Sequence, residues 1–141
     1  MNVLAAAKSE FCWIEARTGC VLSRNATAIK AIDASGRIRG MVAYDSWTEN
    51  AVQAHMAVDA AIAWRSLLRP AFAYPFDEAG RGVLLAVVQS SNRASMRLVA
   101  RFGFREAYRM RDGWADGDDL VFWELRRAEC RFLAGRQRRA A

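Results

Sequence analysis

Apolar positions along the chain change period several times, and each change predicts an element. Val3, Leu4, Ala7, Phe11 and Ile14 recur at intervals of three and four, predicting a helix over residues 3–16 that Gly19 ends. Over residues 26–33 the period drops to two around Ile29 and Ile32. Ser35-Gly36 supplies a turn, and β-prone residues resume from Ile38 to Tyr44, so this segment reads as a hairpin. A third strand is expected over residues 51–58. Helical spacing returns at Trp64, Leu67, Leu68, Phe72 and Phe76, but both prolines, Pro70 and Pro75, fall within residues 64–79. Each removes an amide donor, so a kink or two shorter pieces are expected.

Gly80 and Gly82 lead into Val83-Leu84-Leu85-Ala86-Val87-Val88, an unbroken apolar run of the kind that suits a strand buried on both faces. Residues 92–102 place Met96, Val99, Ala100 and Phe102 on one helical face, with Gly103 suited to stop the helix in a left-handed conformation. Residues 104–110 and 120–125 predict a closing pair of strands across the polar stretch 112–119, and a last helix is expected over 126–134. The order is helix, three antiparallel strands, helix, strand, helix, two strands, helix. It describes one α/β domain with a mixed sheet over residues 1–134, followed by a short basic tail, 135–141. The chain's 141 residues suit a single core, with roughly 68–70% of the unfolded surface buried.

Composition narrows the function classes. With 53% hydrophobic and 26% charged residues the chain is of ordinary globular type. No apolar run approaches the roughly 20 residues that cross a bilayer. Residues 1–10 lack the basic start and apolar core of a secretory signal, so a cytoplasmic protein without membrane contact is expected. Cys12, Cys20 and Cys130 are an odd number at spacings that match no zinc pattern, and His55 is the only histidine. Reduced structural thiols and no metal are therefore expected.

The net charge of +6 invites a nucleic-acid reading, but its position restricts it. Residues 126–141 hold six arginines and one acid, whereas residues 1–125 hold 15 basic and 14 acidic groups. Contact with nucleic acid is expected only through the basic C-terminal end. Arg93, Arg97 and Arg101 form a basic stripe at helical spacing, either a solvated face or a contact for phosphates. The five tryptophans are dispersed, so they offer no platform for stacking bases.

One ordered series of residues carries more information. The apolar strand is followed by Asn92, Ser95 and Leu98, then by Gly103-Phe104-Arg105-Glu106, Arg109, Asp112-Gly113, Asp118-Asp119 and Val121-Phe122-Trp123. This series resembles the C-terminal half of the GNAT N-acetyltransferase superfamily. With the hairpin, the strand ending at Val58 and the segment Phe72-Ala73-Tyr74-Pro75-Phe76, the likeness spans residues 25–134 and is strongest to compact phage and prophage members. It implies a mixed, mostly antiparallel central sheet flanked by helices and an acetyl-CoA-dependent N-acetyltransferase. It also implies direct attack of a small-molecule or peptide amine on the thioester, with acetyl-CoA as co-substrate. In that frame the predicted opening helix leaves no first strand, so part of the acceptor-side wall is expected to be missing or supplied by a second copy in a homodimer.

The resemblance assigns roles to particular residues. Two parallel strands that splay apart would offer free backbone groups to a pantetheine arm, with Asn92 and Ser95 bonding it and amides near Met56 and Val58 polarising the carbonyl. Asn92 is equally suited to cap a helix. The family's pyrophosphate loop is patterned Gln/Arg-x-x-Gly-x-Gly/Ala. This chain has Asp59-Ala60-Ala61-Ile62-Ala63-Trp64-Arg65-Ser66, so a helix N-terminus with Arg65 and Ser66 would have to serve. Many members place a tyrosine seven residues after the asparagine, to protonate the thiolate. Here that position is Val99, leaving Tyr108 or water. For the base, His55 is the candidate, because imidazole titrates near neutrality as a residue type. A packed structural histidine is the other reading, and Glu49 and Asp45 are alternatives. The missing glycine and tyrosine leave two further readings open: a non-catalytic module that binds protein or nucleic acid, and an acyl-CoA sensor.

Overall fold

A computed structural model describes residues 1–134; the basic tail expected over 135–141 lies outside the described residues. Seven strands form one sheet in the order β1-β2-β3-β4-β5-β7-β6. They are β1 (Asn2–Ala5), β2 (Thr27–Ile32), β3 (Ile38–Asp45), β4 (Ala51–Val58), β5 (Val83–Gln89), β6 (Arg105–Ala115) and β7 (Asp118–Arg126). Only β4 and β5 run parallel; every other pair is antiparallel. The helices are α1 (Cys12–Thr18), α2 (Ala63–Ala73) and α3 (Arg93–Arg101).

The two-residue period of the strands sorts the helices onto opposite faces. On β3, Met41 and Ala43 pack with Phe11 and Ile14 around α1, whereas Val42 and Tyr44 join the core of α2 and α3 with Phe72, Phe76, Val99 and Phe102. Gly40 lets α2 lie close to the sheet: a Cβ there would stand 2.7 Å from Leu67 Cδ1 and 3.0 Å from Val58 Cγ1.

The prolines act much as expected. Pro70 lies inside α2, and the helix then widens into a π-helical turn over Tyr74–Glu78, where the Ala79 amide reaches back to the Tyr74 carbonyl. Pro75 has no amide to give the carbonyl of Ala71 four residues earlier. The buried Tyr44 hydroxyl donates to that carbonyl instead, at 2.6 Å.

The ends of the chain correct the sequence reading. The periodicity of residues 3–16 does not form one helix. Residues 2–5 are a strand whose Val3 pairs with Ala31 and whose Leu4 pairs with Lys30 of β2. A 3-10 turn (Lys8–Glu10) and the short α1 follow, and Gly19 ends α1 with φ 74 as foreseen. Cross-strand pairing overrides a spacing that either element satisfies. The first strand is therefore present without any contribution from a second copy.

No helix forms over 126–134 either. β7 runs to Arg126, a 3-10 turn covers Arg127–Glu129, and Cys130 and Leu133 are drawn into the main core. Phe132 stacks on Phe72 with ring centroids 4.9 Å apart. Arg127 anchors the turn through the Phe76 carbonyl and Asp77. The closing strands are also longer than predicted: β6 and β7 extend through the polar stretch 112–119 and turn tightly at residues 116–117.

Candidate active site

The site begins where β4 and β5 part. They pair only over Ala51↔Val83, Val52↔Leu84 and Gln53↔Leu85. Beyond that, β4 follows β3 as far as Val58↔Gly40, and β5 follows β7 as far as Gln89↔Leu120. Each strand is held by its outer neighbour, so their facing edges diverge. A cleft of about 380 Å3 opens between them, lined by Gln53 to Ala57, Ala86 to Gln89, Asn92, Ser95, Leu98 and Val99 of α3, residues 17–20 and Trp114.

His55 lies in this cleft. In register it faces Ala43 of β3, and two residues on along β3 the same face carries Asp45. The His55 Nε2 and Asp45 Oδ1 are 2.8 Å apart. Asp45 is 5% exposed, and its other oxygen accepts the Ser23 amide at 3.2 Å. A carboxylate only accepts, so the imidazole Nε2 is the donor in this pair and Nδ1 is the ring nitrogen left to other partners. Cys20 also lines the cleft. Burial pushes its thiol above the usual range, the Thr18 hydroxyl bond at 2.9 Å opposes this, and the charges of Glu15 and Asp45 add to the rise. It stands there as a neutral thiol.

The other wall is α3. Asn92 caps it, its Oδ1 accepting the Ser95 amide at 3.1 Å, which leaves the side-chain NH2 as the donor it can offer. Asp118 pins the loop between β5 and α3: it accepts from the Ser90 hydroxyl at 3.0 Å and from the Ser91 amide and hydroxyl at 2.9 and 2.6 Å. Those bonds hold its carboxyl below the usual range. A second, more open depression is lined by Arg93, Arg97, Arg109 and Asp118.

The structure brings His55, Met56, Asn92 and Ser95 into one cleft, with Val99 buried beside them. It does not bring in the others. Val58 packs on Ala63 and Leu67. Arg65 is exposed on α2, and Ser66, also on α2, does not line the cleft. Glu49 is exposed in the turn before β4, and Tyr108 sits 61% exposed on the edge strand against Phe122. No group of three or more metal-ligating side chains occurs among the described residues, and no helix there is long and apolar enough to cross a membrane.

No protein-family model matches the sequence, and no curated protein matches it either. Solved structures do match. A mutant form of the spermidine/spermine N-acetyltransferase SpeG from Vibrio cholerae superposes with a TM-score of 0.76 at 11% identity, over 99% of both chains. The spermidine N-acetyltransferase from Vibrio cholerae in complex with CoA and spermine gives 0.73 at 12% identity, over 91% of this chain and 96% of that one. A dodecameric form of that enzyme gives 0.71.

The chain has the GNAT fold.

Within that fold the splayed β4 and β5 leave an open cleft. The turn into α2 holds no glycine, and Asp59 at its start is tied to Arg17 at 2.8 Å. Of the residues in the cleft, the sequence reading named His55, Met56, Asn92 and Ser95 as candidates, with Asp45 as an alternative base. It gave no site role to Cys20, on the loop after α1, or to Trp114, which a bulge in β6 brings to the cleft.

Proposed function

We propose that the protein is an acetyl-CoA-dependent N-acetyltransferase whose acceptor is a small amine. The observation that carries this reading is the His55–Asp45 pair set into the cleft between the diverging strands. The GNAT fold, and a structural neighbour that holds CoA and spermine, support it.

The cleft fits an extended acyl carrier: it is elongated along two unpaired strand edges and offers the polar groups of Asn92 and Ser95. Met56 and the backbone as far as Val58 would hold the arm from β4, and Asn92 and Ser95 from α3. Arg65 and Ser66, outside the cleft on α2, would meet the nucleotide end. Bound there, the thioester supplies an activated acyl carbon. His55 then takes the proton of the attacking amine on Nδ1, and the Asp45 carboxylate stabilises the resulting imidazolium and fixes the ring. Val99 cannot donate a proton, so the departing thiolate takes its proton from water.

The test joins calorimetry to product analysis. Acetyl-CoA titrated into the protein should release or absorb heat, and an amine panel should yield an acetylated product by mass spectrometry. No heat and no thermal shift at millimolar acetyl-CoA overturns the reading. Binding without any product favours instead an acyl-CoA sensor, a reading that Val99 supports.

A further inference from the structure

Trp114 reaches the wall of the cleft from a bulge in β6. Strands β6 and β7 pair at Met110↔Leu120 and again at Ala115↔Asp118, so residues 111–114 stand against Asp119 alone. Three features fix this insertion. Asp112 adopts φ 55, a conformation uncommon for a residue with a Cβ. Its amide donates to Asp119 Oδ1 at 3.0 Å, and its own Oδ1 accepts from Gly117 at 2.9 Å. Gly113 passes so close to its neighbours that a Cβ would meet Met110 Cγ at 2.7 Å and Leu120 Cβ at 2.9 Å. Bulges beside clefts re-aim side chains. This one brings Trp114 to the cleft wall while leaving the indole 52% exposed. A half-wet indole is stabilised by any flat apolar group that covers it.

The charge of the cleft adds an independent constraint. Among the described residues that line it there is no carboxylate. The one charged side chain in the lining is Arg17, which is already held by Asp59 and by the Trp13 carbonyl. Asp45, behind His55, has both oxygens occupied. A polyamine would bring a second ammonium into a cleft whose lining offers it no carboxylate.

We infer that the acceptor is a primary monoamine on an apolar, aryl-sized body that packs on Trp114 and presents its nitrogen to His55; this rests on the acetyltransferase reading above. Trp114 is then a specificity-determining residue.

The probes are 2-phenylethylamine and spermidine. Each is titrated by calorimetry into the protein saturated with CoA, and each is assayed for acetylation with acetyl-CoA. The expected result is binding of 2-phenylethylamine and a kcat/KM for it at least about tenfold above that for spermidine. Trp114→Ala should weaken its binding about tenfold with the CoA affinity retained, and Trp114→Phe should restore most of the loss. Because Trp114 is half exposed, the alanine variant should fold, which its CoA affinity verifies. Equal or better use of spermidine overturns this inference and leaves the acetyltransferase standing, as does a Trp114→Ala variant that binds 2-phenylethylamine normally. Failure to bind acetyl-CoA overturns both.

Discussion

Asp45 is buried and serves as the hydrogen-bond partner of the chain's only histidine, the pairing that burial of a carboxylate requires. Replacing it with asparagine separates charge from shape. The new amide can donate to His55 Nε2, which forces the imidazole proton onto Nδ1 and removes the basic atom from the reaction. Asp45→Asn should therefore lower kcat by at least about tenfold while the acetyl-CoA dissociation constant stays put. His55→Gln should cost about 10²- to 10⁴-fold in kcat/KM. Steady-state kinetics beside calorimetry check both. A His55→Gln variant with full activity would return His55 to a purely structural role and move the base elsewhere.

At the scale of elements, α2 depends on one replaced contact and one close approach. Tyr44 replaces the amide that Pro75 lacks, so Tyr44→Phe leaves the Ala71 carbonyl buried without a donor. The expected loss is about 1–2 kcal/mol in urea unfolding, with little change in m-value. Gly40→Ala pushes a methyl into the fully buried Leu67 and should cost about 1–3 kcal/mol in the same measurement. These devices show why the sequence was legible in its middle and less so at its ends. From Thr27 to Arg101, element type follows from apolar period, turn residues and a cap, all local signals, and the structure keeps each element. Residues 3–16 carry a spacing compatible with helix and strand, and only pairing with β2 decides between them. The same holds for the site: Asn92 and His55 announce themselves by type and place. Asp45 becomes the histidine's partner only through β3–β4 register, and Trp114 reaches the cleft only through the bulge at Asp112 and Gly113.

Across the whole molecule, the excess of arginine is more structural than its charge suggests. Of the six C-terminal arginines, three lie among the described residues: Arg126 pairs with Glu124, Arg127 with Asp77, and Arg131 reaches the Arg101 carbonyl and lies over the Phe132 ring. Carboxylates tie distant parts of the chain in the same way. Glu10 holds Lys30, Asp59 holds Arg17, Asp33 closes the β2–β3 turn, and Asp118 latches the loop before α3. Hydrogen bonds from Lys30, Arg17, Ser35 and Ser91 respectively are the main reason that all four titrate below the usual carboxylate range. Unfolding restores the ordinary value, so in the window between the two the unfolded chain binds more protons and stability rises with pH. The contribution is complete above the ordinary range and disappears as pH falls through the lowered values. The urea midpoint should therefore hold from about pH 7 to 5 and drop between about pH 4.5 and 2.5. Because these groups are partly exposed, 1 M salt should shrink the drop by screening the ion pairs of Glu10, Asp59 and Asp33 while leaving the hydroxyl and amide bonds of Asp118 and Asp33 in place. An Asp118→Asn variant should begin less stable at neutral pH and lose less on acidification. A variant whose acid loss matches that of the wild type would take the latch out of the pH dependence and assign the whole effect to the other three carboxylates.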